Sequence, residues 1–205
     1  MLNSNGFDMW ADGYDESVRL SENDNEYPFA GYKEVLNTIY KTVRAGLGNR
    51  ILDIGFGTAV LTQKLYNDGY TVFGMDFSQK MLDIGKTKMP DAVLIKHDFS
   101  MGFPKELKNE RFDFITCTYA IHHLTDEKKA EFIGELKAHL NPDGLILIGD
   151  VAFEKVEDLE RCRRECGDLW DDDESYMVEE TIKKLVQNAG FEKITFCSGF
   201  FTIRK

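Results

Sequence analysis

A carboxylate and two glycines come together within residues 51–59, and they favour the binding of a small ligand that carries a positive charge. Apolar residues lead up to Asp53 as in a buried strand, and Gly55 and Gly57 follow it closely. Glycines let the backbone turn sharply and approach a ligand. The Asp53 carboxylate would repel a pyrophosphate at this turn, but it would attract an ammonium or sulfonium group.

A second carboxylate, Asp76, closes the apolar segment 70–75 about 20 residues after Gly55. An acid at this point of a nucleotide-binding fold holds a ribose diol. The alternative is that Asp76 caps the helix predicted for residues 78–88, and one carboxylate is able to do both. The adjacent Phe77 is assigned to the same ligand site.

Two histidines, His122 and His123, follow a nearly continuous apolar run at residues 111–117. Such a run is typical of a central parallel strand, and doubly wound enzymes place their chemistry at the carboxyl ends of these strands. We therefore assign Tyr119, His122 and His123 as catalytic candidates, because a base assists transfer to an O–H or N–H group. Thr118 is assigned to the ligand site. Adjacent side chains point in different directions, so one histidine could instead cap the following helix while the other packs internally.

Apolar and amphipathic segments alternate around these residues, and their order predicts a doubly wound parallel sheet. A first helix is predicted at residues 32–44, and strands at 51–54, 70–75, 91–96, 111–117 and 145–149, with a turn at 141–144 before the last strand and Asp150 at its end. Helices lie in between, with Thr58 as N-cap of the first and Thr125 or Asp126 as N-cap of the last. Helices are then predicted at 154–170 and 179–188, followed by an antiparallel hairpin of strands 191–196 and 200–204 joined at 198–199.

Two segments resemble the class I S-adenosylmethionine-dependent methyltransferases. Residues 51–59 resemble motif I of the family, although the family usually has glycine where this chain has Ala59. Residues 119–124 read aromatic-Ala-x-His-His-Leu, which is similar to the segment after strand four in many small-molecule members. The resemblance implies a single domain, 1–205, with a three-layer α/β fold. Its doubly wound sheet would be seven-stranded and mostly parallel, with a C-terminal antiparallel hairpin.

The resemblance also implies that the chain binds S-adenosyl-L-methionine and methylates a small-molecule acceptor. The cofactor would lie across the glycine turn, with its ribose on Asp76 and its adenine beside Asp98 and Phe99. We assign Asp53 to the ammonium group of the methionine end. The cofactor set is Asp53, Gly55, Gly57, Thr58, Asp76, Phe77, Asp98, Phe99 and Thr118, with Tyr14 and Tyr32 as weaker candidates for the methionine end. The alternatives are a turn role for Asp98 and core packing for Phe99 and the two tyrosines.

Residues 1–45 precede the cofactor-binding core at 50–205, and we predict that they form a helical and aromatic lid. An otherwise polar stretch carries six spaced aromatic residues, namely Phe7, Trp10, Tyr14, Tyr27, Phe29 and Tyr32. Aromatic faces attract cations, so such a lid suits a sulfonium group.

Composition narrows the class of partner and the location. With 205 residues, 42% hydrophobic and 30% charged, the chain resembles a soluble globular domain. Its formal net charge of −11 opposes binding to nucleic acid or to an anionic membrane. No segment reads as a signal peptide or as the roughly 20-residue apolar run of a membrane span. Four scattered cysteines indicate reduced thiols, so a cytoplasmic location is expected.

No metal site is predicted. Cys162 and Cys166 would share one helix face, but they lack partners at the spacing of a zinc site. The acidic run at residues 171–174 lacks the ligand spacing of a calcium loop.

Two other functions stay open at this point. A protein that binds S-adenosylmethionine or its demethylated product, S-adenosylhomocysteine, without catalysis would keep the same pocket. A nicotinamide-dependent oxidoreductase would use a similar glycine turn. Asp53 and the G-x-G-x-x-G spacing broken at Val60 argue against the second of these.

Overall fold

An eight-stranded sheet organises residues 26–205, the part of the chain that this computed structural model describes. The strands are β1 (Arg50–Ile54), β2 (Thr71–Asp76), β3 (Val93–Lys96), β4 (Phe112–Thr118), β5 (Leu140–Phe153), β6 (Met177–Val178), β7 (Ala189–Lys193) and β8 (Ser198–Arg204). The helices are α1 (Tyr32–Ala45), α2 (Val60–Asn67), α3 (Gln79–Lys88), α4 (Asp126–Ala138), α5 (Val156–Cys166) and α6 (Glu179–Leu185). Short 3₁₀ helices lie at Phe99–Met101, Lys105–Leu107, Ile121–His123 and Gly167–Leu169.

The strands follow the order β3-β2-β1-β4-β5-β8-β7, and β6 pairs with β5 beside this path. The first five strands in the chain pair in parallel, whereas β8 runs antiparallel to both β5 and β7. The predicted doubly wound, mostly parallel sheet with a C-terminal antiparallel hairpin is therefore confirmed, with the two-residue β6 as an additional strand. The winding direction reverses between β1 and β4, and a ligand crevice forms at such a switch point.

Buried apolar side chains form two clusters, one on each face of the sheet. Helices α1, α2, α3 and α5 contribute to one cluster, and α4 and α6 to the other. Successive residues of β5 alternate between them, with Leu147 in the first and Ile148 in the second. Helix α1 approaches β5 closely at Gly149, where Val35 fills the place that a side chain would take. The result is the three-layer architecture that the alternation of segments predicts.

The start of α2 differs from the prediction. Thr58 is not the N-cap, because Ala59 occupies that position in the left-handed region (φ 63°, ψ 35°) and makes no capping bond with its side chain. The Thr58 carbonyl instead accepts a hydrogen bond from Lys88 Nζ at 2.7 Å. Thr125 does cap α4, as predicted.

Several boundaries in the C-terminal half were predicted wrongly. Strand β5 includes the predicted turn at 141–144, because it already pairs with β4 at Leu140. It continues past Asp150, because β6 pairs with its last two residues and β8 pairs with it as far as Val151. The same pairing takes up Ser198, so the hairpin turn lies at 194–197 rather than at 198–199. The predicted helix at 154–170 is reduced to α5 and a 3₁₀ turn, and the helix predicted to reach residue 188 ends at Leu185.

Within residues 26–205, no helix is both long enough and apolar enough to cross a bilayer. The predicted lid residues Phe7, Trp10 and Tyr14 lie outside the described residues.

Candidate active site

A cavity of about 750 Å³ opens where the carboxyl ends of β1, β2 and β4 meet. The turns after these strands form part of its wall, together with residues 26–32 and with parts of the loop 169–174. The wall includes most of the predicted site residues, namely Tyr32, Asp53, Gly55, Gly57, Thr58, Asp76, Phe77, Phe99, Thr118, Tyr119, His122 and His123. Side chains that are distant in sequence therefore share one cavity.

The two glycines of the turn after β1 meet different physical requirements. Gly55 has φ +64°, and a Cβ at this position would lie 2.7 Å from the Ala120 Cβ. Gly57 has φ +55°, but a Cβ there would meet no atom within 4 Å among the described residues. Gly55 is thus required by backbone conformation and by packing, whereas Gly57 keeps part of the cavity wall free of a side chain.

Asp76 at the end of β2 holds the glycine turn and the start of α3. Its Oδ2 accepts the Gly57 N–H at 3.0 Å, and its Oδ1 accepts the Ser78 N–H at 2.9 Å. The side chain is buried, yet it lies in the cavity wall. A carboxylate oxygen is able to accept more than one hydrogen bond, so the same group retains the capacity to accept from a ligand.

Asp53 in β1 is buried beneath the turn, where two threonine hydroxyls contact it. Thr62 donates to its Oδ2, and Thr116 donates to its Oδ1 at 2.8 Å. Burial raises the pKa of the carboxyl from 3.8 to about 6, although the two hydroxyls lower it in part. Asp53 is therefore an anion held with little solvation, and a cation bound beside it would be stabilised.

The predicted adenine contacts are in different environments. Phe99 lies in the cavity wall and stacks on Phe132, with ring centroids 5.7 Å apart. Asp98 is exposed and lies outside the cavity wall, and it accepts the Ser100 N–H at 2.9 Å as N-cap of the following 3₁₀ helix. Its contact with adenine stays a prediction.

An aromatic cluster covers the cavity next to the end of β4. Tyr119 adopts a left-handed conformation (φ 47°), which directs its ring towards the first described residues of the chain. Ring centroids of Phe29 and Tyr32 lie 5.5 and 5.1 Å from that of Tyr119. Left-handed conformations are costly outside glycine and concentrate at functional sites.

The two histidines are in unlike electrostatic environments. His122 Nδ1 lies 2.7 Å from Asp150 Oδ1, and its Nε2 lies 3.4 Å from Glu174 Oε1. Burial alone would lower the pKa of His122, but the two carboxylates outweigh it and raise the pKa. Burial and the neighbouring His122 lower the pKa of His123 to about 4. His123 is therefore a neutral imidazole at pH 7.

Glu174 lies next to the histidines because hydrogen bonds hold the loop before β6 in place. The Ser175 N–H donates to the His122 carbonyl at 2.8 Å. The fully buried Lys129 of α4 donates to the Ser175 carbonyl at 2.6 Å and to Asp126 at 2.9 Å. No sequence pattern indicated this role for Glu174, since it lies some 50 residues from the histidines in an acidic run that has no ligand spacing.

Comparison with known proteins shows the family and the fold to which the chain belongs. A family model described as a methyltransferase domain matches residues 51–144. A relative from Geobacillus sp. (strain WCH70), described as an uncharacterized methyltransferase, is 36% identical over 197 residues, which cover 93% of this chain and 89% of that protein. Another from Anoxybacillus flavithermus, described in the same words, is 40% identical over 147 residues, or 72% of this chain and 66% of that protein.

The family model and these relatives show that the chain belongs to the class I S-adenosylmethionine-dependent methyltransferases. The family uses S-adenosylmethionine as its cofactor.

Solved structures share the fold at low sequence identity. The complex named DhpI-SAM-HEP has a TM-score of 0.68 at 15% identity and covers 97% of this chain and 94% of that one. A methyltransferase from Clostridium acetobutylicum has a TM-score of 0.68 at 16% identity, with coverage of 94% and 99%. The magnesium protoporphyrin IX methyltransferase of Synechocystis with bound SAH has a TM-score of 0.64 at 17% identity, with coverage of 85% and 84%. At such identities the likeness extends to the fold alone.

Proposed function

We propose that this enzyme transfers the methyl group of S-adenosylmethionine to a nucleophilic atom of a small molecule. The observation that carries the proposal is a single cavity whose wall contains both the carboxylates Asp53 and Asp76 and the histidines His122 and His123. Its volume of about 750 Å³ falls within the range of roughly 300–1,000 Å³ for small-molecule sites. The net charge of −11 disfavours a polyanionic acceptor such as nucleic acid.

The residues around the glycine turn fit the cofactor by their chemistry. Asp76 would accept the two ribose hydroxyls while it keeps its bonds to the turn. Asp53 would attract the ammonium group, and Phe99 would offer an apolar face to the adenine. The cofactor supplies an electrophilic methyl group on a sulfonium. The protein supplies binding, orientation and the exclusion of water.

The acceptor is assigned to the region of Tyr119, His122 and His123. Asp150 holds the His122 ring through Nδ1, so Nε2 is the ring nitrogen that faces Glu174. A rigid imidazole at this place would orient the acceptor's nucleophilic atom in line with the methyl group. Alignment of two bound reactants accounts for much of the rate in such displacements.

We also propose that residues 7–32 cover the acceptor and the sulfonium. The support lies in Tyr27, Phe29 and Tyr32, which are aromatic and line the cavity. Deletion of residues 1–25 keeps Tyr27, which stacks on Trp170 at 5.3 Å. We expect this deletion to lower acceptor turnover more than it weakens S-adenosylhomocysteine binding. Unchanged turnover in a folded truncated protein would refute the covering role.

Calorimetry with S-adenosylmethionine, S-adenosylhomocysteine and NAD(H) tests the cofactor assignment. We expect binding of the first two compounds, no binding of NAD(H), and an affinity reduced at least about tenfold by Asp76→Ala. Asp83→Ala is the matched control, because Asp83 is an exposed acid of α3 that contacts Gln79. Equal loss in both variants, or preferential binding of NAD(H), would contradict the assignment.

Product formation then tests catalysis. Release of S-adenosylhomocysteine should be measured with a panel of amines, thiols, alcohols and carboxylic acids as acceptors. Turnover of one class identifies the acceptor chemistry. Cofactor binding without turnover of any acceptor would favour the alternative of a non-catalytic cofactor-binding protein.

A cytoplasmic location is part of the proposal. Its support is that Cys117, Cys162, Cys166 and Cys197 are all free thiols in the structure. Fractionation of cells with an antibody to the protein tests the location, and recovery from an extracellular or membrane fraction would contradict it.

A further inference from the structure

Three side chains with metal-binding atoms converge in the cavity wall. One ring nitrogen of His122, one of His123 and a carboxylate oxygen of Glu174 lie within 4.8 Å of one another. Each of the three residues also lines the cavity. Two imidazoles and one carboxylate form the protein ligand set of many catalytic zinc sites, which leave the fourth position open.

The spacing of two of these atoms is close to that of a coordinated pair. His122 Nε2 and Glu174 Oε1 are 3.4 Å apart, which is long for a charged hydrogen bond. Zinc bonds of about 2.0–2.1 Å at tetrahedral angles place two ligand atoms about 3.3 Å apart. The pair is therefore separated by about one edge of a zinc tetrahedron.

The surroundings of the cluster hold its ligand atoms in position. Asp150 Oδ1 lies 2.7 Å from His122 Nδ1, so Nδ1 carries a proton, and Nε2, which faces Glu174, is the nitrogen that a metal ion would bind in place of a proton. Tyr176 donates to Glu174 Oε2 at 2.6 Å, which leaves Oε1 facing the histidine. In metal sites, a histidine that binds the metal usually donates its other ring N–H to a carboxylate. A carboxylate that binds the metal usually accepts a hydrogen bond as well.

The local charge also favours a cation. Asp150 is 1% exposed, and its Oδ2 has no hydrogen-bond partner within the described part of the chain. Glu174 adds a second carboxylate on the other side of His122. Lys129 is the buried cation nearby, and its ammonium is already bound to Asp126. A divalent ion at the cluster would compensate the buried Asp150 and the partly buried Glu174.

We propose that His122, His123 and Glu174 bind one divalent transition-metal ion of the Zn²⁺ type, with Asp150 as the outer partner of His122. The open coordination position faces the cavity, so the site deepens the proposed function, on which its catalytic role rests. A metal there would bind an acceptor oxygen or sulfur and lower the pKa of its proton. The sequence predicted no metal site, because Glu174 meets the histidines only after folding.

Zinc titration of the tag-free full chain tests the proposal. Metal-stripped protein should compete with a chromogenic chelator for Zn²⁺ and bind one equivalent, while Mg²⁺, which prefers oxygen ligands, should compete poorly. Glu174→Gln keeps an acceptor for Tyr176, and we expect it to weaken Zn²⁺ binding about 100-fold. Asp150→Asn should weaken it about 10- to 100-fold, as outer-partner changes do.

Matched variants separate this cluster from other ligands. Asp172→Asn removes an exposed acid of the same run, which contacts Arg163, and should leave Zn²⁺ affinity unchanged. Cys166→Ser disrupts the thiol pair whose sulfurs lie 3.7 Å apart, and it should also leave affinity unchanged. The proposal would be overturned if the parent protein bound no Zn²⁺. It would also be overturned if Glu174→Gln bound Zn²⁺ as tightly as the parent protein, or if Cys166→Ser no longer bound it.

Two further measurements keep the result interpretable. The visible spectrum of the Co²⁺-substituted protein reports nitrogen and oxygen ligation directly, and circular dichroism shows whether Glu174→Gln is folded. Calorimetry with S-adenosylhomocysteine on the same samples separates the two proposals. Zn²⁺ binding without cofactor binding would refute the proposed function but support the metal site. Cofactor binding without Zn²⁺ binding would refute the metal site but support the proposed function.

Discussion

Burial disfavours the ionised form of the Asp53 carboxyl group, and this makes the stability of the fold depend on pH. The pKa of this group is about 6 in the folded chain against 3.8 in the unfolded chain. Its contribution to stability is therefore fully present below about pH 4 and is lost as the pH rises through about 6. An ionised Asp53 persists at neutral pH where a cationic ligand would use it.

The Asp53→Asn variant follows from this linkage. We expect it to be more stable than the parent protein by about 2–3 kcal/mol at pH 8 and by less than about 1 kcal/mol near pH 4. The affinity for S-adenosylmethionine should fall at least about tenfold, because the ammonium loses its charged partner. Urea denaturation at the two pH values and calorimetry measure these effects. A stability gain of equal size at both pH values would contradict the assignment to the Asp53 charge.

Gly57 and Gly69 allow the effect of a side chain in the cavity to be separated from backbone strain. Both have positive φ, +55° and +89°, and at neither does an added Cβ meet an atom of residues 26–205 within 4 Å. Replacement by alanine should destabilise the fold by about 1–2 kcal/mol at each position. Only Gly57→Ala should weaken S-adenosylhomocysteine binding, because Gly57 lines the cavity. Equal cofactor affinity in the two variants would show that the cofactor does not approach Gly57.

At the scale of elements, α1 is fixed to the sheet by a close approach at Gly149. A Cβ at Gly149 would clash with Val35 and would lie 2.9 Å from Ile39 Cδ1. Gly149→Ala should therefore displace α1 and cost about 1–3 kcal/mol. Gly190→Ala in β7 is the control, since within the described part of the chain a Cβ there meets only the Thr202 carbonyl, at an ordinary contact distance of 3.7 Å. Thermal or urea denaturation distinguishes them, and equal losses would contradict the packing argument.

The loop that carries Glu174 depends on one buried lysine of α4. Lys129 donates to both the carbonyl and the hydroxyl of Ser175, at 2.6 and 3.0 Å. Lys129→Met should cost about 1–3 kcal/mol, because it leaves buried acceptors without a donor. It should also speed hydrogen exchange in residues 171–178. Lys128→Met, at an exposed neighbour that pairs with Glu131, should leave both stability and exchange nearly unchanged. Equal exchange in the two variants would refute the anchoring role of Lys129.

At the scale of the whole molecule, the net charge of −11 creates a long-range field that favours cations. S-adenosylmethionine carries one positive charge more than S-adenosylhomocysteine. Between low salt and about 0.5 M NaCl, its affinity should fall about two- to fivefold more than that of the product, because salt screens exposed charges. Calorimetry at several salt concentrations measures the difference. Equal salt dependence of the two compounds would show that only local contacts discriminate them.

The sequence by itself determined the layered fold and several of the residues that line the cavity. Alternating apolar segments specify parallel strands and helices. Local spacing also places Asp53, Gly55, Gly57 and Asp76 near the ends of strands β1 and β2. Local signals failed where distant pairing dominates. Strand β5 extends past Asp150 because β8 completes its hydrogen bonds, and the left-handed Ala59 displaces the predicted Thr58 cap.

Only the tertiary structure decided how Glu174 and Asp150 surround His122. The loop before β6 is tied to the His122 carbonyl and to Lys129, and no periodicity or short spacing in the sequence records those bonds. The approximate positions of most strands and helices follow from the local pattern of apolar and polar residues. The environment of a buried histidine depends on which distant side chains the completed sheet brings against it.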